Sequence, residues 1–276
     1  MANGDGEYDV EPDPALRTFG EVVKIFRKRA GYTQEQFAPL VDYSVQSVGS
    51  FEQGRRFPQQ KFIDNAEEAL DAFGAIRAAA KHLMKQKGLA SWFRPWAQLE
   101  ETAVSLYTYE CRVVPGLLQT EAYARAVIMN VPPPPTDEEI EDRVSARLQR
   151  QRLLTRRPLT AFSFIIEQSV IERETGGPDV TRGLIDHLLE VCPLTNVEIQ
   201  IMPLKQPEHA GTDGPVQLLE TEDNTWLAYS EGQKTGQVTT DVKAVSVLHQ
   251  RYAKLRSQAL SYADSVSLLK RLRGAL

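Results

Sequence analysis

Cysteine is scarce: two in 276 residues, Cys111 and Cys192, far apart along the chain. A disulfide framework and a C-x-x-C pair are both excluded, and a reducing, cytoplasmic setting is expected. Histidine is equally sparse. His82, His187, His209 and His249 are scattered, and none pairs at a metal-ligand spacing such as H-E-x-x-H. No apolar run approaches the roughly 18–20 residues that a membrane span requires. The opening MANGDGEYDVEPDPAL is acidic and has no apolar stretch, so neither a secretory signal nor a membrane partner is expected. G-x-x-x-x-G-K-[ST], G-x-G-x-x-G and G-x-S-x-G are all missing, which removes the usual phosphate-cradling loops and the nucleophile elbow. The expectation is a protein that is not an enzyme and that holds no cofactor and no metal.

What remains is an ordinary globular composition, 42% hydrophobic and 25% charged, in a chain long enough for two domains. The net charge of −5 hides an asymmetry. Residues 15–62 carry eight basic side chains (Arg17, Lys24, Arg27, Lys28, Arg29, Arg55, Arg56, Lys61) against four acidic ones (Glu21, Glu35, Asp42, Glu52). One locally basic module on an acidic body is the pattern expected of a chain with a single nucleic-acid-facing unit. Ahead of it, Asp5, Glu7, Asp9, Glu11 and Asp13 mark residues 1–14 as a disordered acidic arm.

Helical periodicity starts next. Phe19, Val23, Phe26 and Ala30 fall on one face, and Gly31 supplies a stop. Thr33 with Gln36 predicts a capping box for a second helix with Phe37, Leu40 and Val41 inward. After the break at Asp42-Tyr43, Ser44 caps a third helix with Val48 and Phe51 inward, closed by Gly54. Pro58 then suits the first turn of a fourth helix with the stripe Phe62, Ala66, Leu70 and Phe73, closed by Gly74.

Two short helices, a tight break and a second helix with polar outward residues are what a major-groove reader needs. The groove is about 12 Å wide and admits one helix whose N-terminal side chains reach base edges. With Val48 and Phe51 inward, Ser44, Val45, Gln46, Ser47 and Ser50 are left to face DNA. Gln46 is the best direct reader, because a carboxamide pairs bidentately with adenine. Ser47 and Ser50 suit bases or phosphates, and Val45 suits a thymine methyl. Gln34 stands where a helix N-terminus can hold a phosphate. Arg55 and Arg56 follow the helix and are expected on the backbone, adding affinity and salt dependence.

The segment TQ-x-x-FA followed by S-V-Q-S-V-x-S-F-E-x-G-R-R-x-P resembles the Xre/Cro family of phage-repressor type over about sixty residues. Gln34, Ala38, Val48, Phe51, Glu52, Gly54 and Pro58 match its pattern. Gly49 departs from it, since a serine or other polar residue is usual there, and a weaker helix-forming and phosphate-binding contribution is expected. The resemblance implies double-stranded DNA as partner, read as an inverted repeat by a homodimer.

The later chain changes character. Ala161–Ile166, Val197–Met202, Val216–Leu219 and Trp226–Tyr229 read as strands. Leu184, Leu188 and Val191 mark one helix, and Val245, Leu248, Tyr252, Leu255 and Ala259 another. Thr136 with Glu139 opens a helix to about Thr155, and Ser261 with Asp264 caps the last. Pro115-Gly116 suits a type II turn. The fold class expected is multidomain: an all-α N-terminal helix-turn-helix domain followed by a mixed α+β C-terminal domain. The boundaries read are 1–14 (arm), 15–74 (helix-turn-helix), 75–95 (helical connector) and 96–276 (α+β domain).

VPGLLQTE-x-YARA, then R-x-x-RQ (Arg147, Arg150, Gln151) and a strand ending in Glu167, resembles an actinobacterial family of antitoxin-like transcriptional regulators. That resemblance covers nearly the whole chain. It implies a DNA-binding regulator, cytoplasmic and nucleoid-associated, switched by a small neighbour-encoded protein bound to its C-terminal domain. An antitoxin-like interaction protein and a small-molecule-sensing one-component regulator are the alternatives. The residues singled out for partner or ligand binding are Arg112, Pro115, Gln119, Tyr123, Arg147, Arg150 and Glu167. Arg143, Arg147, Arg150 and Arg157 share one helical face if the helix extends that far, either as a binding stripe or as a solvated, salt-bridged face. Glu167 is expected to pair with an arginine, and His209 to be a surface residue.

Overall fold

The computed structural model describes residues 14–56, 58–84, 88–90, 92–233 and 235–276. The chain forms two compact units, Met1–Lys87 and Gly88–Leu276. The acidic arm lies outside the described residues except for Pro14, and so does part of the connector read over 75–95.

The first unit is all helical: α1 (Pro14–Arg29), α2 (Gln34–Val41), α3 (Val45–Glu52), α4 (Gln60–Ala69) and α5 (Ala75–Met84). The caps form as the sequence predicts. Thr33 and Gln36 make the reciprocal capping box of α2, and Ser44 accepts from the Ser47 N–H at the head of α3. The α2–α3 break is set by Asp42 in the left-handed region (φ 62°), which ends α2 within one residue. Phe19, Val23, Phe37, Val41, Val48, Phe51, Phe62 and Ile63 form the buried core. Phe51 and Phe62 pack with ring centroids 4.2 Å apart, and Tyr43 meets both edge-on.

Several inward assignments move. Leu40 and Ala30 are exposed. Pro58 precedes α4, which starts at Gln60 with Gln59 as its cap. The α4 stripe stops at Leu70, and Phe73 stands 81% exposed in a turn with φ 54°. Once the chain leaves helical geometry, the i+3 spacing no longer returns the side chain to the same face.

The second unit is a six-stranded mixed sheet wrapped by helices on both faces. Its strands are β1 (Ser105–Glu110), β2 (Ala161–Glu167), β3 (Val197–Met202), β4 (Val216–Glu220), β5 (Trp226–Glu231) and β6 (Gly236–Thr239). The order is β3-β2-β1-β4-β5-β6, with β1, β2 and β3 parallel and the remaining pairings antiparallel. One face carries Leu106, Phe162, Phe164, Ile199, Leu219 and Tyr229. It packs on α6 (Arg94–Glu100), α7 (Glu121–Met129), α10 (Pro178–Val191) and α12 (Tyr262–Ala275). The other carries Tyr109, Ile165, Met202 and Leu218 under α11 (Val242–Gln258). The remaining helices are α8 (Asp137–Arg150) and α9 (Gln168–Glu172). The fold is the expected one, an all-α helix-turn-helix unit followed by a mixed α+β domain. Pro115-Gly116 is no type II turn, because Gly116 lacks a positive φ and instead opens a 3-10 turn through Leu118.

Candidate functional site

In the first unit α3 presents Val45 and Gln46 to solvent, with Ser47 and Ser50 half-buried beside them. Gln46 keeps its carboxamide free of any intramolecular partner among the described residues, whereas its neighbours are engaged. Ser44 Oγ donates to Ser47 Oγ (2.9 Å), Arg56 Nη1 donates to the same oxygen (3.0 Å), and Ser50 Oγ donates to the Gln46 carbonyl (2.9 Å). Arg56 also lies over the Phe51 ring, 5.4 Å from its centroid, and Arg55 is exposed. Ser44, Val45, Gln46, Ser47, Ser50, Arg55 and Arg56 therefore cluster at α3 and its exit.

Gln34 sits across from them with its Nε2 donating to Glu52 Oε2 (2.8 Å). Glu52 is the hub of this contact. Arg27 donates to it from Nε (2.5 Å) and Nη2 (2.9 Å), and gives Nη1 to the Tyr32 carbonyl (2.7 Å). This buried ion pair ties α1 to the end of α3 and, through Gln34, to the start of α2. Sequence reading missed it because its partners are 25 residues apart. Close backbone approach completes the clamp: a Cβ on Gly20 would lie 2.5 Å from the Phe51 carbonyl oxygen. A Cβ on Gly49 meets only the Gln34 amide, at ordinary contact distance.

In the second unit the residues singled out separate into two groups. Gln119, Tyr123, Arg147 and Arg150 gather around the Pro115–Gln119 segment. Arg147 Nη1 donates to Gln119 Oε1 (2.6 Å), Gln119 Nε2 donates to the Val114 carbonyl (2.6 Å), and the Val114 N–H donates to Tyr123 Oη (3.3 Å). Arg150 forms a two-point ion pair with Glu100 (2.9 Å for both bonds) and lies over the Phe93 ring. Arg112 binds Glu110 and the Glu231 carbonyl at the carboxyl ends of β1 and β5. The helix carrying the arginines ends at Arg150, so Arg157 is not on its face, while Arg143 is exposed.

Glu167 belongs to the opposite sheet face. Its partners are Tyr109 Oη and His209 Nε2, both at 2.8 Å, and not an arginine. The Gly211 N–H donates to His209 Nδ1 (2.8 Å), which leaves the proton on Nε2, directed at the carboxylate. Burial and the facing Glu167 carboxylate push the Tyr109 hydroxyl well above its ordinary range, so it stays a neutral donor. His209 is therefore no free surface residue. Nothing local in the sequence marks this pairing, since the loop after β3 brings it in from 42 residues away.

Comparison with known proteins gives two family matches. A family described as "Domain of unknown function (DUF5753)" matches residues 93–271, and one described as "Helix-turn-helix domain" matches residues 18–83. A similar curated relative is "Uncharacterized HTH-type transcriptional regulator YazB" of Bacillus subtilis (strain 168). It is 40% identical over 53 residues, covering 19% of this chain and 77% of the relative. No solved structure matches the chain. The chain belongs to the DUF5753 family and carries a helix-turn-helix domain ahead of the segment that defines it.

Proposed function

We propose that this protein is a sequence-specific transcriptional regulator of Xre type. As a homodimer it reads an inverted-repeat operator, with two copies of α3 entering successive major grooves about 34–36 Å apart. The single observation that carries the reading is α3 itself. It is capped at its head and clamped from below, and it offers an uncommitted Gln46 next to Val45, with Arg55 and Arg56 at its exit. Gln46 is the base reader. Ser44, Ser47 and Ser50 contact bases or phosphates after exchanging their internal hydrogen bonds. Gln34, held by Glu52, keeps one amide N–H and its backbone N–H at the head of α2 for a phosphate. The helix-turn-helix match and the regulator relative support DNA binding and transcription regulation.

The C-terminal domain, of the kind found in antitoxin-like regulators, is the switch, and a small neighbour-encoded protein bound to it shifts operator affinity. The protein works in the cytoplasm at the nucleoid. Chromatin immunoprecipitation with sequencing in the native host, with and without the neighbouring small gene, tests this. Peaks sharing an inverted repeat, altered when the neighbour is deleted, are expected. No enrichment from a folded, expressed protein would overturn the regulator, and peaks indifferent to the neighbour would overturn the switch.

A further inference from the structure

Among the described residues Arg147 forms no direct ion pair. Arg27 and Arg150 are each answered by two-point bonds to a buried carboxylate. Arg147, on the same face of α8 and one turn before Arg150, has one hydrogen-bond partner among the described residues, the neutral carboxamide oxygen of Gln119. A largely desolvated guanidinium with a neutral partner is costly to keep charged. Burial, with help from Arg150 and Arg143, pushes its pKa down to about 10, and Glu231 only partly offsets this.

The surroundings hold the group in place without neutralising it. Gln119 is locked, because its Nε2 is given to Val114 and its own carbonyl accepts from Gln151. The nearby carboxylates are committed elsewhere: Glu100 to Arg150, Glu110 to Arg112, and Glu231 Oε1 to the Trp92 indole N–H (3.0 Å). A second group at this end of the sheet is also unsatisfied. Tyr229 is 1% exposed, lies two residues before Glu231 on the same face, and its hydroxyl has no hydrogen-bond partner among the described residues.

We infer that Arg147 anchors a binding site for a carboxylate at the carboxyl ends of β1 and β5. The geometry of the guanidinium selects the class. Its Nη1 is given to Gln119, and Nε and Nη2, which have no hydrogen-bond partner among the described residues, form the fork that a carboxylate meets with two parallel bonds. The carboxylate belongs either to a free small acid or to an acidic side chain of a protein partner. The inference rests on the regulatory reading of this domain only for what the ligand then does.

The test is thermal unfolding of the full chain followed by tryptophan fluorescence, with sodium acetate titrated against sodium chloride at equal ionic strength. Acetate is expected to raise the Tm saturably, by about 3–6 °C at ten times its Kd. Arg147→Gln, which keeps a polar group for Gln119, is expected to abolish that rise without lowering the Tm in chloride. Arg143→Gln is expected to retain it. Independently of any variant, phenylglyoxal should modify Arg147 of the native protein, and acetate should protect it in peptide maps. An acetate effect that is absent from the native protein, or equal in Arg147→Gln, together with no protection, would overturn the site. The source is read by capture of the neighbour-encoded protein. Weakening by tenfold or more in Arg147→Gln assigns the carboxylate to that partner, and unchanged capture with the acetate effect intact assigns it to a free acid. Neither readout uses DNA, so failure of the operator reading is seen separately.

Discussion

Replacing Glu52 with Gln is the perturbation on which the account of the helix-turn-helix unit is most exposed. The side chain is almost inaccessible, and it is the carboxylate hydrogen-bonded at two points by a buried Arg27 guanidinium that also donates to the Tyr32 carbonyl. The amide that replaces it can accept one bond and cannot balance the charge. Removing one partner of a buried ion pair costs about 3–5 kcal/mol, because the other charge is left uncompensated. Domains are stable by only about 0.05–0.15 kcal/mol per residue, so this loss is from about a quarter to all of what a unit of this size has. With a urea slope of about 1 kcal/mol/M, the unfolding midpoint should fall by about 3 M, or the unit should be unfolded without denaturant. The tryptophans make the assay selective: Trp92, Trp96 and Trp226 all lie in the second unit. Far-ultraviolet circular dichroism should therefore lose an early transition in Glu52→Gln while the fluorescence transition stays put. The double variant Arg27→Met with Glu52→Met removes both charges and should recover most of the loss. If Glu52→Gln shifts the midpoint by less than about 0.5 M, or if the double variant is as unstable as the single one, the buried pair is not what holds α1 to α3.

Four further outcomes follow from the structure. Gln46→Ala should relax the base preference at one position of each half-site. Arg55→Ala should instead weaken all sequences and lower the slope of log affinity against log salt by about one, as read by fluorescence anisotropy from 50 to 300 mM salt. Gly20→Ala should destabilise the first unit by about 1–3 kcal/mol, since its methyl group would meet Phe51 and Glu52 backbone atoms at 2.5–2.8 Å. A circular-dichroism melt checks this, and a variant as stable as the parent would show that α1 and α3 are not in close backbone contact. His187 and His249 each bury a ring Nε2 that has no partner among the described residues, and burial holds both below the ordinary histidine pKa of about 6.5. The unfolded chain then takes up these protons first, so stability is full above about pH 6.5 and falls as pH drops through it toward the lower folded values. Melts between pH 7.5 and 5.5 should show the decline, and His187→Leu with His249→Phe should flatten it.

The sequence made local structure legible where one or two neighbouring side chains decide it. Thr33 with Gln36, Ser44, Thr136 with Glu139, and Ser261 each satisfy N–H groups of their own first turn, and each cap forms where its residues predict. Four strands, β2 to β5, announce themselves by apolar, branched and aromatic content, whereas β1 (Ser105–Glu110) lies outside the segments read as strands and β6, a short Gly-Gln-Val-Thr edge strand, has no such pattern. What stayed hidden is whatever depends on distant partners. The Arg27–Glu52 pair spans 25 residues, Arg150–Glu100 spans 50, and Trp92–Glu231 spans 139. The arginine spacing on α8 gave the face. It could not show that Arg150 is ion-paired and Arg147 is not, because that difference is made by Glu100 at the end of α6, 50 residues before Arg150.

Selection from a random-sequence duplex library by the purified full chain tests most directly whether α3 reads DNA sequence. Enrichment of an inverted repeat with half-site centres about one helical turn apart is expected, with loss of preference at one base pair per half-site when Gln46→Ala is used. Failure of the folded protein to enrich any sequence, or an unchanged motif with Gln46→Ala, would contradict it.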